Sequence, residues 1–238
     1  DNRDPNQYRP IKVTRGTIDT SEGSARVQIG DTDVLVGIKI GLGEPFPDTP
    51  NKGVLTTNAE LIPLASPTFE SGPPREGSIE LARVVDRGIR ESGTIDLEKL
   101  CLVEGEKVWV VFIDIHVLDY DGNLFDASAL GALAALTETT IPASRFEEGE
   151  DFKLPVQHYP VAVTTVKIEN TLLVDPGLEE EKVANARLTV TTDENGDIRA
   201  MQKGLSDCFT VEEVRNIIAT SQKIAKENRK YIMGTQLG

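Results

Sequence analysis

The sequence predicts an α+β protein built from two βα subdomains, with mixed sheets packed against helices. Three observations predict it. Runs rich in β-branched residues, bounded by Gly, Pro, Asn or Asp, fill most of each half. In each half these runs give way to a segment of helical period. A charge-rich stretch, FEEGEDFKLPVQHYP (146–160), separates the two. It places the expected division at 1–145 and 146–238. The 238 residues are enough for each half to bury a core.

The elements follow in order. The first ten residues, DNRDPNQYRP, are polar and are expected to be flexible unless a partner orders them. RPIKVTRGTID alternates loosely. SARVQIGDTDVLVGIKIG (24–41) reads as two strands joined at Gly30-Asp31, a hairpin. GEPFPDTPNKG (43–53) is loop, VLTTNAELIPL (54–64) strand, and ASPTFESGPPREG (65–77) loop again. A helix is expected from Glu76 or Ser78 to Ser92, with Ile79, Ala82, Val85 and Ile89 on its buried side. Strands are expected at 100–103 and 108–118, then a small-residue helix near 126–139. In the second half, 161–168 and 171–174 read as strands. The runs 188–192 and 198–202 form a hairpin across Asn195-Gly196. Thr210 and Glu213 form a capping box that opens a helix to about Ile232.

Composition narrows the function. Hydrophobic residues make up 39% and charged residues 27%, as in ordinary globular proteins. No apolar run reaches the ~18–20 residues of a membrane helix, and no signal-peptide pattern opens the chain. The expectation is a cytoplasmic protein without a membrane partner. Cys101 and Cys208 are expected as buried free thiols in a reducing compartment. His116 and His158 are too few for a His-rich metal site. His116 follows Asp114 at strand spacing and reads as a structural pair. The net charge of −14 repels nucleic acid at long range. Contact with RNA must therefore use a local basic patch or a more basic partner.

Three constellations bear on chemistry. Arg83, Arg87 and Arg90 fall within a ~60° stripe of the first helix. The stripe reads either as a solvated face balanced by Glu80 and Asp86, or as a face that follows phosphates, which guanidinium donors suit. Glu179, Glu180 and Glu181 follow Asp175 and read as a solvated acidic turn. Convergent acids there would suit Mg²⁺, but the next candidate position holds Arg187. The turn Gly122-Asn123-Leu124-Phe125-Asp126 lies between strand and helix, a layout that often holds phosphate. Here a carboxylate stands where an anion would bind. Asp126 is expected to satisfy the helix's first N–H groups itself.

The strings EGSARVQIGDTDVLVGIK, IELARVVDRGIR and VFIDIHVLDYDGNLFDASALGALAALTETTIP, in this order and spacing, resemble the RNase PH-like family. The resemblance runs from Tyr8 to the final helix. GEPFPDTPNKG, NAELIPLASPTFESGPP and LDYDGNLFDASA resemble more narrowly the non-catalytic RNase PH-like subunit of the archaeal exosome ring. The resemblance implies an RNase PH-type fold. Active members carry an arginine-containing phosphate loop, whose matching positions here are Gly122, Asn123, Leu124 and Phe125, without the arginine. They also place two aspartates where this chain has Glu181 and Arg187. The resemblance thus implies no catalytic residues, no metal and no cofactor in this chain. It implies RNA contacts at Arg83, Arg87 and Arg90, and a catalytic RNase PH-like partner. Three such heterodimers would close a six-membered ring that carries RNA-binding cap proteins and degrades RNA 3′→5′ by phosphorolysis. Two rival readings stay open on sequence alone: a self-sufficient phosphorolytic exoribonuclease, and an RNA-binding module with no nuclease partner.

Overall fold

The longest strand of the described residues, at 107–119, forms the spine of the first sheet. The computed structural model describes residues 3–233. The first half contains β1 (Ile11–Arg15), β2 (Gly23–Ile29), β3 (Thr32–Gly43), β4 (Val54–Leu61), α1 (Glu76–Glu91), β5 (Cys101–Val103), β6 (Lys107–Asp119) and α2 (Leu124–Glu138). Its sheet runs β1-β2-β3-β6-β4, with β5 beside β6. The β4–β6 pair is parallel and the other pairs antiparallel, so the sheet is mixed. The short strands β7 (Thr140–Ile141) and β8 (Phe152–Lys153) pair with each other in the expected boundary region.

The second half contains β9 (Val161–Ile168), β10 (Thr171–Val174), α3 (Leu178–Val183), β11 (Ala186–Thr192), β12 (Ile198–Gly204), α4 (Val211–Asn228) and α5 (Lys230–Met233). Its sheet, β10-β9-β11-β12, is wholly antiparallel. Register divides its residues between two faces. Leu188 and Val190 pack with Ile217 of α4. Thr164 and Thr189, paired in register, point the other way, toward α2.

α2 is apolar nearly all round, the mark of a helix buried on every side. It packs against β2 and β3 on one side and β9 on the other. A Cβ at Gly131 would lie 2.8 Å from Val36 Cγ2, so the helix comes close to the sheet because glycine stands there. α1 lies beside α2 and reaches β4 and β12. The layers are therefore sheet, helices, sheet, then α4. The capping box forms as expected: Thr210 Oγ1 accepts from Glu213 N at 3.1 Å, and Glu213 Oε2 from Thr210 N at 2.7 Å.

Three expectations change. Ile79 is 47% exposed, not buried. At 100° per residue it lies about 20–80° from the arginines and shares their side of α1. Cys208 is exposed and Cys101 only half-buried. The described part of the N-terminal segment is tied down by ion pairs: Arg9 is buried against Asp175, and Arg3 also reaches that carboxylate. Polar composition misled here, because the polar groups find partners inside the fold. The His116–Asp114 pair stands in neighbouring outward positions of β6, with Glu60 of β4 3.4 Å from His116 Nδ1.

Candidate functional site

Where β6 ends, the chain turns sharply into α2. Gly122 has φ +88° and Asn123 φ 54°, both in the left-handed region. A Cβ at Gly122 would lie 2.4 Å from Pro176 O and 2.5 Å from Gly177 C. Only glycine lets the turn and the 175–178 segment approach this closely. That approach carries α3 onto the start of α2.

The carboxylate at the helix start is consequently Glu181, not Asp126. Glu181 Oε1 accepts from Asn123 N at 2.9 Å, and Oε2 from Tyr120 Oη at 2.6 Å. Burial pushes the Glu181 carboxyl up; hydrogen bonds from Tyr120 and Asn123 partly counter this. The expected solvated acidic turn is therefore split. Glu179 is exposed and pairs with Lys182, while Glu181 is turned inward.

Asp126 does not cap the helix. It sits in the first turn of α2, and its buried carboxylate faces the second sheet. It accepts from the Tyr8 hydroxyl, from Asn123 Nδ2 at 2.8 Å, and from Thr164 N and Oγ1 at 2.9 and 2.8 Å. Burial raises its pKa to about 6, against the pull of these donors. An N-cap side chain must precede the helix to fold back on its N–H groups. The residue in that place, Asn123, makes no such bond and instead joins two acids. Its Nδ2 donates to Asp126 and, at 2.7 Å, to Asp175 Oδ1.

Asp175, fully buried, also accepts from Arg9 N at 2.8 Å, Arg9 Nε at 2.9 Å and Arg9 Nη2 at 2.9 Å. Burial opposes the Arg9 charge, but Asp175 and Asp121 more than offset it and hold its pKa above the ordinary value. The turn, the end of β10 and the N-terminal segment thus form one buried polar knot. Sequence reasoning missed Tyr8, Arg9 and Thr164 as members. Tyr8-Arg9, an aromatic and a cation together in a polar stretch, was the available signal.

Arg187, which the resemblance sets against the second aspartate of active members, has partners of its own. Its guanidinium lies 4.2 Å over the Phe125 ring and pairs with Glu80 of α1. So two of the predicted positions, Phe125 and Arg187, are in contact. A phosphate entering here would meet Glu181 already on the amide and an arginine already engaged.

The arginine stripe of α1 borders an open groove of about 640 Å³, lined in part by Thr57, Asn58, Ile79, Arg83 and Arg87. Its three members differ. Arg83 is exposed and has no ion-pair or hydrogen-bond partner among the described residues. Arg87 is half-buried, and its Nη1 donates to Gln202 Oε1 at 2.9 Å. Arg90 donates from Nε and Nη2 to Asp86 at 2.9 and 3.0 Å, and from Nη2 to Leu55 O at 2.9 Å. Gln202 was not foreseen, because it comes from the other half of the chain. Among the described residues, no group of three or more His, Cys, Asp or Glu could hold a metal ion, and no helix is long and apolar enough to cross a membrane.

Comparison with known proteins gives a consistent result. Residues 7–142 match the model of the 3′ exoribonuclease family, domain 1, and residues 158–224 that of its domain 2. The exosome complex component Rrp42 of Methanocella arvoryzae is 56% identical over 236 residues, 99% of this chain and 91% of that protein. Rrp42 of Thermoplasma acidophilum is 54% identical over 230 residues, 97% of this chain and 88% of that one. A chain of the Archaeoglobus fulgidus exosome, solved with RNA bound to the active site, superposes with a TM-score of 0.94 at 53% identity, covering 96% of this chain and 90% of its own. A chain of an archaeal exosome core gives 0.90 at 48% identity, covering 97% and 89%.

Proposed function

We infer, from the fact that this chain belongs to the 3′ exoribonuclease family and carries both of its domains, that it is the non-catalytic RNase PH-like subunit of an archaeal exosome. Its partner is a catalytic RNase PH-like subunit, and three such pairs close a six-membered ring by heterologous contacts. RNA-binding cap proteins sit on that ring, which works in the cytoplasm. The complex shortens RNA from its 3′ end, using inorganic phosphate to release nucleoside diphosphates.

The single observation that carries the non-catalytic assignment is the Glu181–Asn123 bond. A phosphate bound at a helix start needs free N–H donors and positive charge. Here the turn amide is satisfied by a carboxylate of the same chain, and the cations around it are already engaged, Arg187 with Glu80 and Phe125 and Arg9 with Asp175 and Asp121. A self-sufficient phosphorolytic site would have to displace both. The phosphate donors and the carboxylates that handle the leaving group belong to the partner.

This chain's own contribution is RNA backbone binding through Arg83 and Arg87. Arg90, held by Asp86 and Leu55, adds positive charge to the same face. A local patch of this kind lets an acidic protein hold RNA at short range although its net charge repels it at long range. In the assembled complex, Arg83→Ala and Arg87→Ala are each predicted to weaken binding of single-stranded RNA with little sequence preference. Each should reduce the salt dependence of binding by about one unit. Unchanged affinity and turnover in both variants would leave the stripe a solvated face.

A further inference from the structure

Two ties join α1 to the second sheet, and both fall on one line of the helix. Glu80 pairs with Arg187 of β11, and Arg87 donates to Gln202 of β12. Seven residues separate Glu80 from Arg87, so their directions differ by only about 20°. Arg83 lies between them along the axis and about 40–60° around it. Ties at both ends of such a segment fix the helix against rotation and thereby fix the direction of the exposed Arg83.

Arg187 is held on both faces. The Phe125 ring lies 4.2 Å from its guanidinium carbon on one side. On the other lies Gly204 of β12, which is paired with Arg187 in register. A Cβ built on Gly204 would stand 2.5 Å from Arg187 Nη2, 2.8 Å from Cζ and 2.9 Å from Nε. The φ of Gly204 is not in the left-handed region, so backbone conformation does not call for glycine there. The space does. The side chain of Arg187 is only 14% exposed, and its buried Nε has no hydrogen-bond partner. A planar cation slotted between ring and glycine can reach α1 in one direction.

We propose that Arg187 is a positioning residue for RNA binding, slotted between Phe125 and Gly204 so that its bond to Glu80 aims the Arg83 face of α1. This rests on the reading of the arginine stripe as the RNA contact. The position that the resemblance sets against the second aspartate of active members thereby keeps a use in this chain, where its cation holds the helix that holds RNA.

Gly204→Ala is the most selective probe. The added methyl meets the far end of a flexible side chain, which swings away, while the strand backbone suits alanine at least as well as glycine. Arg187→Met is the second probe. The complex with the catalytic partner is assembled with each variant, and thermal unfolding and co-elution establish that it is folded. Binding of a single-stranded oligoadenylate and steady-state decay of it are then measured. Both variants are expected to weaken binding roughly 3- to 30-fold, raising KM while leaving kcat in place. In the Arg83→Ala background, Gly204→Ala is expected to add little, because the slot acts through Arg83. Full additivity of Gly204→Ala and Arg83→Ala overturns the proposal. So does undiminished affinity in the slot variants when Arg83→Ala weakens binding. If Arg83→Ala and Arg87→Ala are themselves silent, the RNA reading of the stripe fails first and the positioning role falls with it.

Discussion

Glu181 Oε1 lies 2.9 Å from the Asn123 amide nitrogen, across 58 residues of sequence. The bond sets a fixed carboxylate against the positive end of α2, where a free anion would otherwise be favoured. The same side chain takes the Tyr120 hydroxyl at 2.6 Å. An internal anion with two donors satisfies them without a ligand.

Glu181→Ala leaves both donors without an acceptor. It is predicted to lower stability by about 1–3 kcal/mol. Glu181→Gln keeps an oxygen for one of them and should cost less. Urea unfolding of the two variants checks the order. Equal loss in both would mean that the carboxylate's bonds contribute nothing specific.

The Arg9–Asp175 pair is a different kind of contact, because both partners are buried and the acid is fully so. Arg9→Met removes the cation and leaves Asp175 with Asn123 and Arg3. The predicted loss is about 3–5 kcal/mol, typical of one partner removed from a buried pair. Asp175→Asn in the Arg9→Met background should recover part of it, since no charge is then stranded. Failure of the second change to recover any stability would contradict the account of the knot.

Asp126 gives the knot a pH dependence of known sign. Burial raises its pKa from 3.8 to about 6 in the folded chain. Between these values the folded chain keeps the proton and the unfolded chain has lost it. Its contribution to stability is therefore complete below the unfolded value and is lost as pH rises through the folded one. Two units correspond to roughly 3 kcal/mol. Asp126→Asn abolishes this titration. The stability gap between the natural chain and the variant is predicted to widen as pH falls from about 7 to about 4. Unfolding curves over that range give the gap directly, and a gap that stays constant or narrows contradicts the assignment.

How far the sequence revealed this arrangement depends on the range of the interactions. The α1 helix, the Gly30-Asp31 hairpin and the Thr210 capping box rest on local periodicity and turn chemistry, and all three form as expected. The resemblance to RNase PH-like proteins pointed to Gly122–Asp126, Glu181 and Arg187 as the positions that matter. What it did not reveal was which acid fills the turn. Asp126 is near Asn123 in sequence, so it was the natural candidate. Glu181 reaches the turn only because the chain folds 175–178 against Gly122, a contact without local signal. The N-terminal segment was misjudged for the same reason. The partners of Arg9 lie 112 and 166 residues away. Of the arginine stripe, spacing gave the common side of the helix but not the distinct surroundings of Arg83, Arg87 and Arg90.

The most direct test of the central claim is release of nucleoside diphosphates from a single-stranded RNA as inorganic phosphate is titrated, with this chain alone and then with the proposed catalytic partner. The account predicts no phosphate-dependent release from the chain alone at any phosphate concentration, and release once the partner is added. Phosphate-dependent shortening of RNA by the purified chain without the partner would contradict it.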